Sequence, residues 1–188
     1  MHPLKPLFSV PLLIACIAMT SAYAADPKAG AQKATVCLGC HGPQGKSSNA
    51  QWPNLAAQQP TYIANQLNAY KSGIRENPMM QSIAANLGQD DINNLAAYFA
   101  SLPAASAGGD PALASSGQPK AAMCLGCHGP SATGNGQFPR LAGQHPNYLV
   151  TQLKNFKDGT RQNSQMQAIA GSLSEEDMTQ LAAYFGSL

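Results

Sequence analysis

With 11% charged side chains and a formal net charge of +2 over 188 residues, the chain has neither the basic patch that nucleic acid demands nor an acidic tail. Residues 25–102 carry five basic and four acidic side chains and residues 103–188 carry five of each, which excludes strong long-range steering of a charged partner. The length suits one ordinary domain or two very small ones.

The N-terminus reads as an address. Lys5 supplies a positive start, Leu7 to Met19 form an apolar run broken by Ser9 and Pro11, and Ala22-Tyr23-Ala24 is an A-x-A cleavage signal, so residues 1–24 are expected to leave as a signal peptide. The run falls short of the roughly 20 residues that span a bilayer. Leu13-Ile14-Ala15-Cys16 also resembles a lipoprotein processing site, and Cys16 is the second reading. Apolar Ile17-Ala18-Met19 is a poor tether there.

Asp26-Pro27 is an N-cap and first-turn pair for a helix running into Cys37. Next come CLGCHGP at residues 37–43, a loop from Gly42 to Gln59, a helix opened by Pro60 and ending near Gly73, a polar stretch ENPMMQS, and a last helix with Ile92, Leu95, Ala96 and Phe99 on one face. The segment PAASAGGDPALASSGQP, residues 103–119, contains a linker and the entry to a further helix. Then the pattern returns: CLGCHGP at residues 124–130, a helix opened by Pro146, and a last helix with Met178, Leu181, Ala182 and Phe185 behind a capping-box-like Ser174 and Asp177.

Residues 60–102 match 146–188 without a gap at 21 of 43 positions. The chain is an internal duplication. Each copy reads as three helices with no alternating strand pattern, an all-α fold divided into 25–102, a linker at 103–114, and 115–188. Three short helices bury little apolar surface, and the loop after the histidine has few hydrophobic residues to hold it, so something else must fill each half.

CxxCH names the filler. Two cysteines three apart on a helical turn add their thiols to the vinyl groups of one haem, and the adjacent histidine reaches the iron. Cys37, Cys40 and His41 are expected to hold one covalent haem, and Cys124, Cys127 and His128 a second. A zinc site pooling the four cysteines would leave both histidines unexplained, and a redox dithiol needs no histidine beside it. For the second axial ligand the duplication chooses. His145 aligns with Gln59, Met123 with Val36, Met178 with Ile92 and Met79 with Gln165; Met80 and Met166 recur at one aligned position. They are the expected ligands, against the ordinary role of methionine in packing.

Weaker expectations attach to other repeated residues. The carbonyls of Pro53 and Pro139 could accept the ring N–H of His41 and His128, or these prolines could simply stiffen a loop. Arg75, Arg161, Arg140, Gln58 and Gln144 could donate to haem propionates or face solvent.

These motifs resemble the class I cytochromes c, and specifically the two-haem cytochrome c4 type. The resemblance rests on the two CLGCHGP segments, WPNLAAQQPTYIANQL with FPRLAGQHPNYLVTQL, YKSGIRENPMM with FKDGTRQNSQM, and the two LAAYF helices. It implies two compact haem domains face to face, His/Met irons at His41 and Met80 and at His128 and Met166, and a periplasmic carrier, soluble or loosely attached to the inner membrane. Such a protein passes single electrons from a respiratory donor, such as a membrane quinol oxidoreductase, to a terminal oxidase and is not itself an enzyme. Two alternatives stay open: the cytochrome subunit of a dehydrogenase complex such as a flavoprotein that oxidises sulfide, and a ligand-binding or peroxidatic haem protein. Trp52 against Phe138 and Asn54 against Arg140 predict two unequal reduction potentials.

Overall fold

The computed structural model describes residues 24–188. The leader, His2 and Cys16 lie outside the described residues, apart from Ala24. Among the described residues the chain is all-α, with one isolated bridge pair, Asn135 with Phe138, in place of any strand.

Copy one contains α1 (Pro27–Lys33), α2 (Thr35–His41), α3 (Pro60–Lys71), α4 (Pro78–Ala85) and α5 (Gln89–Ser101); copy two contains α6 (Pro111–Gly117), α7 (Ala122–His128), α8 (Pro146–Lys157), α9 (Ser164–Gly171) and α10 (Glu175–Ser187). Three helices per copy were expected and five are found. The helix read from Asp26 into Cys37 breaks at Ala34, where Cys37 N–H bonds the Ala34 carbonyl at 2.8 Å, three residues back instead of four. The polar stretch ENPMMQS and its counterpart in copy two, QNSQMQA, each contribute to a two-turn helix. Asn77 and Asn163 cap them from the side chain, as Asp26 caps α1. Helix α6 starts at Pro111, within the segment read as linker.

Each copy is organised by its last helix. In copy one α5 packs against α1 and α3, and in copy two α10 packs against α6 and α8. Two separate cores result, built at matching positions: Ile63, Leu87, Ile92, Leu95 and Phe99 in one, and Leu149, Leu173, Met178, Leu181 and Phe185 in the other. The crossing of first and last helices depends on glycine. A Cβ placed on Gly30 would stand 2.0 Å from the Asn94 carbonyl oxygen, and one on Gly117 would stand 2.1 Å from that of Gln180. The capping box expected at α10 is present, with Asp177 N–H donating to Ser174 Oγ and Ser174 N–H to Asp177 Oδ2; in copy one Gly88 keeps half of it, its N–H donating to Asp91.

The loops after the histidines are held by backbone bonds instead of apolar packing. Leu55 and Ala56 N–H both donate to the Gly45 carbonyl, and Leu141 and Ala142 N–H both donate to that of Ala132. Ala57 and Gly143 N–H then tie each loop to the carbonyls of Phe99 and Phe185 on the last helices.

The two copies meet through a reciprocal clasp. Gln58 accepts the Arg140 N–H at 2.7 Å and donates to the Arg140 carbonyl at 3.0 Å; Gln144 accepts the Asn54 N–H at 2.8 Å and donates to the Asn54 carbonyl at 3.0 Å. Both glutamines are buried, so these bonds are made away from competing water. Sequence reading offered Gln58 and Gln144 to the propionates; the structure spends both on the facing backbone. Gln59 Nε2 donates to the Thr133 carbonyl, and His145 Nε2 faces the Ser47 carbonyl at 2.9 Å. From Pro103 to Asp110 the chain runs along copy two, where Ala107 N–H bonds the Gly143 carbonyl.

Candidate haem sites

A cavity of about 1100 Å³ opens between the copies, and its walls contain every residue named from the two CxxCH motifs and both recurrent methionines. From copy one come Cys37 and Cys40 on α2, His41 at its C-terminus, and Met80 in the first turn of α4; copy two supplies Cys124, Cys127, His128 and Met166 from α7 and α9. No disulfide joins the cysteines, and no cluster of three or more His, Cys, Asp or Glu side chains able to hold a metal ion occurs among the described residues.

His41 and His128 are buried and bonded alike. Nδ1 of His41 lies 2.9 Å from the Pro53 carbonyl, and Nδ1 of His128 lies 2.8 Å from that of Pro139. A carbonyl only accepts, so Nδ1 carries the proton and Nε2 keeps its lone pair. Desolvation lowers both histidine pKa values, outweighing the opposing carbonyl bond, and holds the rings neutral near pH 7. This is the state a metal ligand needs. Burial likewise raises the Cys37 and Cys124 thiols, that of Cys37 with help from the neighbouring Cys40.

The methionines are positioned by a residue the sequence reading passed over. Asn77 Oδ1 accepts the Met80 N–H at 3.0 Å, and Asn163 Oδ1 accepts the Met166 N–H at 2.9 Å. Both asparagines recur at one aligned position, which was the available signal. Met80 and Met166 are half-buried, while Met79, beside the first, is 55% exposed.

Between the copies lies a cationic knot. Arg75 donates to Gln66 of its own copy and to Tyr148 and Gln152 of the other; Arg161 donates to Gln152 of its own copy and to Tyr62 and Gln66 of the other. The guanidinium groups also stack on Tyr70 and Phe156, at 4.7 and 4.5 Å from the ring centroids. Burial acts to raise the Tyr62 pKa, but Arg161 and Arg75 together outweigh it and the net shift is downward. Tyr70, where burial dominates, is pushed up to about 12. The ion pairs among the described residues join Lys33 to Asp91, Lys120 to Asp177 and Lys154 to Glu175, and none reaches either arginine. Two enclosed cations sharing neutral partners and no carboxylate call for an anion from outside the polypeptide.

These features fit haem, whose propionates are anionic and whose macrocycle is flat and largely apolar. Leucine and phenylalanine side chains from both cores line the same cavity, including Leu95, Phe99, Leu181 and Phe185.

Duplicated helical halves, each with a CxxCH turn whose histidine is oriented by a proline carbonyl and a methionine across a shared cavity, define a two-domain c-type cytochrome. The family model described as cytochrome c matches residues 27–103 and again 115–188. The chain belongs to the cytochrome c family, and its relatives place it with the two-haem cytochrome c4 proteins. It is 40% identical over 180 residues to cytochrome c4 of Thiocapsa roseopersicina, covering 87% of this chain and 93% of that one. A solved structure of reduced recombinant cytochrome c4 from Pseudomonas stutzeri superposes with a TM-score of 0.82 at 34% identity, covering 88% of this chain and all of that one. A protein of Stutzerimonas stutzeri named thiosulfate dehydrogenase electron acceptor is 34% identical over 178 residues, spanning 82% of this chain and 80% of its own length. The chain therefore carries two covalently bound haem c groups and serves electron transport.

Proposed function

We propose that the chain is a periplasmic carrier of single electrons in a respiratory chain, delivering them to a terminal oxidase. Cys37, Cys40, Cys124 and Cys127 would hold the two haems as thioethers, His41 and Met80 would ligate one iron and His128 and Met166 the other, and no substrate bond is made by this chain alone. The observation that supports it best is the matched pair of histidine–proline bonds, each freeing Nε2 toward a cavity that also receives a half-buried methionine.

When bound, each haem supplies a one-electron ferrous/ferric couple, and methionine opposite histidine raises its potential toward the oxidising end of a chain. The protein's part is to hold still. The Pro53 and Pro139 carbonyls fix the imidazole planes, Asn77 and Asn163 anchor the methionine backbones, and Arg75 and Arg161 neutralise carboxylates brought into the interface. Ligands held in this way would stay in place through the cycle, which would keep reorganisation small. Exposed uncharged side chains near the CxxCH turns, Val36 and Met123, suit brief contacts of small area with redox partners.

Optical spectra of the mature protein, with haem counted per chain, test this reading. Two haems, a weak far-red band in the ferric form and no carbon monoxide shift in the ferrous form are expected. A ferrous site that binds carbon monoxide tightly would remove Met80 or Met166 from its role and point to ligand binding or peroxide chemistry.

A second reading, the cytochrome partner of a sulfur-compound dehydrogenase, is favoured by the relative named as a thiosulfate dehydrogenase electron acceptor. Co-purification with a dehydrogenase at fixed stoichiometry would support it over the terminal-oxidase route.

A further inference from the structure

A peptide group has two polar ends, and in each copy one such group touches both the CxxCH histidine and the opposite copy. The carbonyl of Pro53 and the N–H of Asn54 belong to one peptide unit. That carbonyl lies 2.9 Å from His41 Nδ1, and that N–H donates to Gln144 Oε1 of copy two at 2.8 Å. The unit between Pro139 and Arg140 repeats the arrangement: its carbonyl lies 2.8 Å from His128 Nδ1, and its N–H donates to Gln58 Oε1 of copy one at 2.7 Å. Each ring therefore stands one peptide away from a glutamine of the other half.

The orientation of both glutamines is fixed by their donors. Gln144 Oε1 also accepts the His145 N–H at 3.1 Å, and Gln58 Oε1 also accepts the Gln59 N–H at 2.9 Å, so two N–H groups converge on each oxygen and an amide NH2 could not stand in its place. Peptide resonance links the two ends of the unit: an acceptor drawing on the N–H moves electron density onto the carbonyl oxygen and makes it a better acceptor in turn. Chained bonds of this kind strengthen one another by about 10–30% per bond, and both glutamines and both histidines are buried, away from competing water. The stronger the bond from Nδ1–H, the more basic the Nε2 lone pair on the far side of the ring.

We propose that Gln144 and Gln58 are positioning residues that act in trans, Gln144 on His41 and Gln58 on His128, so that docking of the halves strengthens the histidine of each through a side chain of the other. The proposal rests on the haem-ligand reading above and adds that neither histidine reaches its full ligand strength in an isolated copy. The effect is reciprocal and treats the halves alike. It leaves a footprint that a merely structural contact would not, because the change appears in the copy that has not been altered.

The test is proton–nitrogen NMR of the haem-loaded full chain in its diamagnetic ferrous form, with isotope-labelled histidine, comparing Gln144→Met, Gln58→Met and Gln144→Glu. Methionine keeps the side-chain length and removes the acceptor, while the bond from Asn54 Nδ2 to the Gly143 carbonyl and the arginine knot remain to hold the halves together. Gln144→Met should move the His41 Nδ1–H signal upfield, as a weakened hydrogen bond does, and leave that of His128 in place; Gln58→Met should do the reverse. In a redox titration Gln144→Met should raise one step and Gln58→Met the other, because a less basic imidazole stabilises ferric iron less. Gln144→Glu retains an acceptor for the Asn54 N–H whether or not its carboxyl is ionised, and should hold the His41 signal at or downfield of the wild-type position. Movement at the histidine of the substituted copy, equal movement at both, no movement at either, both methionine variants raising the same step, or an upfield shift in Gln144→Glu overturns the proposal. If the methionine variants do not accumulate, Gln144→Asn and Gln58→Asn, whose amides end one methylene short, decide by the same criteria. Failure of the ligand reading is distinguished beforehand, as tight carbon monoxide binding by the unmodified ferrous protein.

Discussion

Replacing Asn77 by alanine removes the side-chain acceptor that holds the Met80 backbone N–H at 3.0 Å while leaving every other side chain on the cavity wall in place. Helix α4 has only eight residues, and the bond satisfies one of its first-turn N–H groups. Loss of such a cap costs about 1 kcal/mol. Because Met80 sits in the turn that loosens, that energy should appear as easier departure of the methionine from iron, and 1 kcal/mol is about a fivefold change in such an equilibrium. The assay is stopped-flow mixing of ferric protein with cyanide, where the rate follows the fraction of time the methionine is away. Half the absorbance change should become about fivefold faster while the other half keeps the wild-type rate. Asn163→Ala should do the same to the opposite half and at least as strongly, since α9 has Ser164 where α4 has the pre-organised Pro78. Unchanged kinetics in both variants, with helix content preserved, would show that the cap does not govern the methionine and would refute the reasoning.

Gly30→Ala and Gly117→Ala should each unfold their own copy first, because the added Cβ would meet backbone that cannot swing aside; two-step thermal melts are the expected readout. Leu181→Ala, emptying a side chain that is 1% exposed, should cost about 2–5 kcal/mol in denaturant unfolding. Lys120 and Ser174 hold the Asp177 carboxyl far below the usual carboxylate range. Its folded pKa is depressed, so its contribution is present above about pH 4 and lost as pH falls through the folded value. Asp177→Asn should therefore flatten the acid limb of melting temperature against pH, and an unchanged limb would contradict the assignment. Arg161→Gln should loosen the joint between the copies, read as faster proteolysis or altered small-angle scattering of the holoprotein with haem content unchanged.

Much of this architecture was legible because the chain states it twice. Apolar stripes ending in LAAYF located α5 and α10, and Ser174 with Asp177 marked where α10 begins. The Pro53 and Pro139 carbonyls could be paired with the histidines because each proline recurs after its CxxCH. What escaped notice was short or non-local. Helices α4 and α9 are eight residues long, and their apolar positions, Met80, Ile83 and Ala84 and Met166, Ile169 and Ala170, cover little more than one turn, so their caps were the better signal. The break at Ala34 is a local change of hydrogen-bond partner that composition does not announce. The interface was least legible, since Gln58 meets Arg140 across 82 residues and Gln144 meets Asn54 across 90, separations over which periodicity carries no information. Arg75 and Arg161 were read as possible propionate donors one by one. Their gathering with Tyr62, Tyr148, Gln66 and Gln152 emerges only when the halves face each other.

The glutamine clasp bears on how such a duplicated chain can change over time. Gln58 and Gln144 grip the N–H and C=O of residues 140 and 54, groups that every amino acid except proline presents identically. Recognition of this kind is blind to the side chain above it. Position 140 can therefore hold arginine while position 54 holds asparagine, and the two glutamine grips are the same in both halves. A clasp that reads only the main chain keeps the symmetry of assembly and leaves the side chains at its two gripped positions to differ.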